Sequence, residues 1–267
     1  MVASRLPIAL LALAGLGACA TIGGAQQNAV TDGGNAVSHA SRPVDRQARQ
    51  RIVRSDLLTQ MAFWAGEYQT FPNDLEAAQR FSDALRRGGR ADRAGEIAGE
   101  ALGRFPDDKE LTLTYGLAQL TAGRPQEALR PLALAAQGDA QNWRARSALG
   151  AALDQIGRFQ QARQAYDEAL AIVPDNARVL TNLGVSHLMA GEAVEAEAVL
   201  RRALAQPDAP PEARQNLAVS IALQGRFDEA EQIETLELPP AEAAANMTYL
   251  RGLLSDQRRW DDLGRPG

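Results

Sequence analysis

The sequence predicts an all-α fold: an α-solenoid of five helix-turn-helix units with a capping helix at each end, about twelve helices in all. Three observations predict it. Gly89, Gly123, Gly157, Gly191 and Gly225 stand 34 residues apart without an insertion. Ala94, Ala128, Ala162, Ala196 and Ala230 keep the same interval. From about Gln50 the chain reads as long helical patterns punctuated by Gly or Pro. Glycine is 23 of 267 residues, so five in phase by chance has odds of roughly five in a million before the choice of phase is allowed for.

The chain opens with MVASRLPIALLALAGLGA, residues 1–18. Arg5 precedes an apolar run from Leu6 to Leu16, and small residues follow, which is the layout of a secretory signal. The run is shorter than the ~20 residues of a membrane span. The four residues Leu16-Gly17-Ala18-Cys19 resemble a bacterial lipoprotein box. The resemblance implies that Cys19, the only cysteine, is acylated and becomes the N-terminus after cleavage. Two or more acyl chains then anchor the chain stably. The other reading is an ordinary signal with a stray thiol. Ala20 stands where an aspartate would mark inner-membrane retention in enterobacteria, so the same resemblance implies the periplasmic face of the outer membrane. Loss of residues 1–18 leaves 27 basic against 33 acidic residues, a net charge of −6. That balance gives no electrostatic footprint for nucleic acid.

Residues 19–49 are rich in Gly, Ala, Ser, Gln and Asn and lack a sustained apolar period. Such composition cannot offset its ordering entropy, and a flexible tether spanning roughly 30 Å is expected. Residues 50–74 are expected to cap the stack. Ser55–Tyr68 places Leu58, Met61, Trp64, Ala65 and Tyr68 along one side of a helix. Pro72 stands where a unit-closing proline belongs, so this helix reads as the second half of a degenerate repeat.

The five units are 75–108, 109–142, 143–176, 177–210 and 211–238. In the third, Leu149 and Leu153 lie on a first helix that Gly157 ends by accepting a left-handed conformation. Ala162, Tyr166 and Ala169 line one face of the second helix, and Pro174 closes the unit. Ser82, Gly116, Gly150, Gly184 and Ala218 recur in the first helices, so small residues are expected to meet the small alanines of the second helices. Unit length, small residue, alanines and terminal prolines (Pro106, Pro174) resemble the tetratricopeptide repeat (TPR). That resemblance implies a right-handed α-solenoid. Glu237 and Pro239-Pro240 depart from the pattern, and Pro131 falls inside a second helix, where an interior proline costs about 3 kcal/mol. Residues 239–267 are expected to form a closing helix, Ala241–Arg258, and a charged tail.

No nucleotide loop, His-Glu-x-x-His or Gly-x-Ser-x-Gly occurs. His187 has no Cys or His beside it and reads as a packed histidine rather than a ligand. No catalytic residue, metal or cofactor is expected, and the chain is read as a non-enzyme. The TPR resemblance implies a concave groove lined by the first helices. Matching positions are Leu113, Thr114 and Leu117, then Ser147, Ala148 and Ala151, then Thr181, Asn182 and Val185, then Gln215, Asn216 and Val219. This floor is small, apolar and uncharged. Asn182 and Asn216, one repeat apart, could hold an extended chain through amide hydrogen bonds, or asparagine is merely common there. Arg144 and Arg178 stand near the edge, but the full chaperone-tail clamp is absent. The layout of lipobox, polar linker and tandem repeats resembles the tight-adherence (Flp) pilus assembly lipoproteins of the TadD type. That implies an envelope-protein partner, such as pilus secretin components, held as an extended peptide segment. An adaptor for outer-membrane protein insertion or peptidoglycan synthesis is the alternative.

Overall fold

The computed structural model describes residues 45–263, with side chains to residue 255. The leader, Cys19, His39 and nearly all of the expected tether lie outside the described residues. Among the described residues there are thirteen helices and no strand. They are α1 (Arg46–Val53), α2 (Leu57–Thr70), α3 (Leu75–Arg87), α4 (Ala91–Leu102), α5 (Lys109–Thr121), α6 (Pro125–Gly138) and α7 (Trp143–Gln155). There follow α8 (Phe159–Ile172), α9 (Ala177–Met189), α10 (Ala193–Leu204), α11 (Pro211–Leu223), α12 (Phe227–Glu234) and α13 (Pro240–Leu263). No described helix is long and apolar enough to cross a membrane.

Each unit is punctuated by the same chemistry. Asp74, Asp108, Asn142 and Asn176 close the preceding units and cap α3, α5, α7 and α9. Their side chains accept the backbone N–H of Ala77, Leu111, Ala145 and Val179 at 3.0, 2.8, 3.0 and 3.2 Å. Such a cap contributes about 1 kcal/mol. The fifth unit instead starts on Pro211, whose fixed φ suits the first helical position. First helices stop at the five periodic glycines, whose φ runs from +73° to +83°. The next residue then folds back. The N–H of Arg90, Arg124, Arg158 and Glu192 reaches the carbonyl of Leu85, Gln119, Leu153 and His187 at 2.9 Å, and Arg226 reaches Ile221 at 3.2 Å. A β-carbon would strain that left-handed turn, so the glycine phase is a backbone requirement.

Successive helices pack in order from α2 to α13. The first helices also touch one another: α3 meets α5, α5 meets α7, and so on through α9 and α11 to α13. No such contact joins α4 to α6, α6 to α8 or α8 to α10. The row of first helices is therefore the tighter, inner side of the curve, and the second helices are splayed outside it. The periodic alanines are all fully buried.

One packing expectation is corrected. The small residue of the first helix does not meet another small residue. A methyl group at Gly116, Gly150 or Gly184 would fall 2.8, 2.7 or 2.5 Å from Leu132, Tyr166 or Leu200. Glycine is a socket for a large, essentially fully buried side chain of the second helix. The alanine three or four residues away lets the same helix approach closely. Pro131 is buried and α6 continues on both sides of it. The carbonyl that loses its helical partner belongs to Glu127, an exposed residue that solvent can reach.

The N-terminal boundary is also corrected. Residues 46–49, read as tether, begin α1, so a first helix precedes the expected cap helix and the degenerate unit has both halves. Arg49 fastens it. Its side chain is 8% exposed. Nη2 lies 2.5 Å from both Glu67 Oε2 and Asp74 Oδ2, and Nη1 2.9 Å from Glu76 Oε2. Its guanidinium also sits 5.4 Å from the centre of the Trp64 ring. At the other end, α12 stops at Glu234, short of Glu237 and Pro239. Helix α13 then takes the place of a next first helix. Ala243, Met247 and Leu250 are buried. Met247 and Leu250 join the cluster of Leu217, Ile221 and Ala230.

Candidate functional site

On each first helix the expected wall residues are the fifth, sixth and ninth of the unit; the sixth and ninth share one helix face at a spacing of three, and the fifth lies beside it. They form the inner wall. On α5, Leu113 and Leu117 are half-buried, leaning on the Ala128–Leu132 cluster, and Thr114 is buried. On α7, Ser147 and Ala148 are buried while Ala151 is half-buried. On α9, Thr181 is buried, with its hydroxyl donated to the Ala177 carbonyl at 2.7 Å, and Asn182 and Val185 are half-buried. On α11, Gln215 is exposed, and Asn216 and Val219 are half-buried.

The structure thus brings the expected residues onto four adjacent helices, but they contribute unequally. Thr114, Ser147, Ala148 and Thr181 form the closed floor between helices. Leu113, Leu117, Ala151, Asn182, Val185, Gln215, Asn216 and Val219 reach the surface. Asn182 also ties two units together: its Nδ2 donates to Ser147 Oγ at 3.2 Å. Its Oδ1 and second N–H stay available, because an amide has two donors and one acceptor oxygen. Asn216 has no side-chain hydrogen bond among the described residues. The paired amides therefore differ in freedom, which the sequence repeat does not reveal.

Charge is placed around this wall in a pattern missed by residue-by-residue reading. The second residue of successive units is Glu76, Glu110, Arg144, Arg178 and Glu212. Glu76 is bound to Arg49. Arg144 and Arg178 are exposed and have no carboxylate partner among the described residues; Arg144 lies 5.4 Å from the Trp143 ring centre.

Beneath the wall, α7, α8 and α9 share a buried polar group. Asp154 accepts a hydrogen bond from Tyr166 Oη at 2.9 Å and another from Ser186 Oγ at 2.7 Å. Burial pushes its carboxyl up to about 6, against the pull of those two hydroxyls and of nearby Arg163 and His187. Burial likewise raises the Tyr166 phenol. His187 is a packed histidine in geometry: its side chain is 14% exposed, with Nδ1 2.7 Å from Glu192 Oε2. Arg163 Nη1 lies 3.2 Å from the same carboxylate. Both Asp154 oxygens are occupied from within, so the cluster clamps units three and four together. No group of three or more metal-ligating side chains occurs among the described residues.

Residues 80–143 and 147–213 match the tetratricopeptide-repeat family model. These segments are tetratricopeptide repeats. Their likeness extends to solved structures. A thermophilic TPR protein of Thermus thermophilus is 25% identical, with a TM-score of 0.56 over 66% of this chain and 97% of that one. MamA of Desulfovibrio magneticus is 19% identical, with a TM-score of 0.53 over 60% of this chain and 91% of that one. The Cut9–Hcn1 hetero-tetramer of the APC/C is 20% identical, with a TM-score of 0.55 over 71% of this chain and 36% of that one. The last two share the TPR fold alone. No curated protein sequence matches the chain.

Proposed function

We propose that this TPR chain is a non-catalytic scaffold that holds an extended segment of an envelope protein against its inner wall, while acylated Cys19 anchors it to the periplasmic face of the outer membrane. The observation that carries the reading is the continuous row of first helices. Its half-buried Leu117, Ala151, Val185 and Val219 alternate with amides that can bond a peptide backbone. Tetratricopeptide proteins are typically scaffolds for protein–protein contact. The anchoring half of the proposal rests on the Leu16–Cys19 box, and the pilus-assembly role, toward a secretin, on layout alone.

A photo-crosslinking amino acid placed at Ala151, Val185 or Val219 should yield a discrete protein adduct in intact cells. The same probe at Leu134 or Val194, exposed on second helices, should not. Adducts only at the second-helix positions would overturn the groove reading. In the same cells Cys19→Ser should move the protein out of the membrane fraction; full retention in outer membranes contradicts the anchor. A deletion strain with normal surface pili removes the pilus role and leaves the scaffold reading standing.

A further inference from the structure

We infer that an open pocket between α4 and α5 receives an arginine residue of a partner polypeptide, with the guanidinium among carboxylates and a main-chain carbonyl bonded beside it. The pocket shares no residue with the inner wall, so the inference stands apart from the groove reading above.

The pocket has a volume of about 480 Å³, and Gly95 and Gly99 of α4 are part of its lining. It exists because side chains are missing there. At the place of Gly95 the other second helices carry Leu129, Arg163, Glu197 and Glu231, one repeat apart. Three of these close the step to the next unit from within. Leu129 packs against the cluster that holds Ala148 and Ala152 of α7. Arg163 reaches Glu192 at 3.2 Å. Glu197 meets Arg226 at 2.6 Å and accepts from Gln224 at 2.7 Å. Gly95 reaches across to nothing. A β-carbon on it would have Ala118 and Gln119 as nearest neighbours at 3.7 Å, which is ordinary contact. The step from α4 to α5 is thus left open where those counterparts are filled.

Charge and hydrogen bonding set the occupant. A spacing of four puts Asp92, Glu96 and Glu100 along one side of α4, and all three line the pocket. The lining cation, Arg124, is already engaged. Its Nη1 donates to Asp92 Oδ1 at 2.6 Å and its Nε to Gln119 Oε1 at 2.7 Å. Glu96 meets Arg93 and Glu100 meets Arg104, each through one carboxylate oxygen of two. The lining is therefore anionic on balance and favours a cation. Half-buried Tyr115 stands beside Gly99, where a β-carbon would come within 3.2 Å of its ring. It supplies the aromatic surface that a planar guanidinium favours. Gln119 gives an independent sign. It is 5% exposed and lines the pocket, yet its Nε2 has no hydrogen-bond partner among the described residues. A buried amide donor calls for an acceptor. A main-chain carbonyl meets that need without adding a charge to oppose the carboxylates, whereas the carboxylate of a free amino acid adds one.

The probe is Nα-acetyl-arginine N-methylamide, titrated into the ¹⁵N-labelled full chain and followed by NMR at the Gly95 and Gly99 amides. Its neutral counterpart, Nα-acetyl-citrulline N-methylamide, keeps the shape and removes the charge. At low salt the arginine probe should bind about tenfold tighter, as exposed charge pairs and one cation–aromatic contact allow. Near 1 M salt, where the screening length is about 3 Å, most of that preference should vanish. Gly95→Leu, which restores the side chain found at Leu129, should abolish binding by filling the pocket. Glu96→Gln/Glu100→Gln should leave the pocket open and remove the preference for arginine over citrulline. Glu195→Gln, at an exposed carboxylate of α10, should change neither. Circular dichroism melting checks that each variant remains folded. Equal binding of the two probes, no binding of either, or unchanged binding in folded Gly95→Leu overturns the assignment. Binding of free L-arginine alone overturns the polypeptide source.

Discussion

At the residue scale, Asp154 is the most consequential side chain outside the wall. Its carboxyl is held at about 6, against an ordinary value of 3.8, so the folded chain holds that proton more tightly than the unfolded chain. Below about pH 4 the group is protonated in both states and costs nothing. As pH rises toward 6 the unfolded chain ionises first, and stability falls by about 3 kcal/mol from this group alone. Asp154→Asn should therefore flatten urea-midpoint stability between about pH 4 and 6.5 and raise it at neutral pH by about 1–3 kcal/mol. An unchanged slope across that window contradicts the assignment. Glu197 works in the opposite sense. Burial raises it, but Gln224, Arg201 and Arg226 outweigh burial and hold it down at about 2, so its contribution is lost as pH falls toward that value. The His187–Glu192 pair was legible only as a packed position. Its partner lies across a turn that no spacing rule marks.

At the element scale, glycine has opposite meanings in different helices. Gly184 in α9 meets Leu200 Cγ at 2.5 Å if given a β-carbon, whereas Gly66 in α2 would meet nothing within 4 Å. Alanine gains about 1 kcal/mol over glycine in a helix interior. Overpacking a close-fitted core costs about 1–3 kcal/mol. Gly66→Ala should therefore raise stability by up to about 1 kcal/mol, and Gly184→Ala should lower it by about 1–2 kcal/mol, both read from chemical denaturation. Equal effects at the two sites would sink the socket account. Much of this level was readable. The five glycine stops, the unit boundaries and the closing proline followed from a fixed period. Helix α1 did not, because its grip is a buried arginine shared by Glu67, Asp74 and Glu76 rather than an apolar stripe. Hydrophobic periodicity has no purchase on such a helix. The caps Asp74, Asp108, Asn142 and Asn176 keep the same 34-residue phase and are legible in the sequence.

At the scale of the whole molecule, stability in a stack is a sum of units and their neighbours. Helix α13 covers the α11–α12 end with Met247 and Leu250, each contributing about 1.5–3 kcal/mol by burial. Ending the chain at Leu238 should strip amide hydrogen-exchange protection from α11 and α12 and leave α7 to α9 protected. Uniform loss along the stack, or none, contradicts a one-dimensional stack. The inner wall belongs to this scale too. Repeat position alone groups its expected residues onto the first helices. Their division into buried floor and exposed lining came from curvature, which draws the first helices together and sends the second helices apart.

The amino-acid order alone settled the unit, its length and its glycine stops, because each is imposed by local backbone chemistry repeated in phase, whereas the inward place of the first helices came from their contacts with one another. Which side chain fills each glycine socket and which asparagine keeps its amide free were decided only by stacking. Those relations join residues 16 to 35 positions apart, and distance along the chain carries no record of a contact made by packing one helix on another.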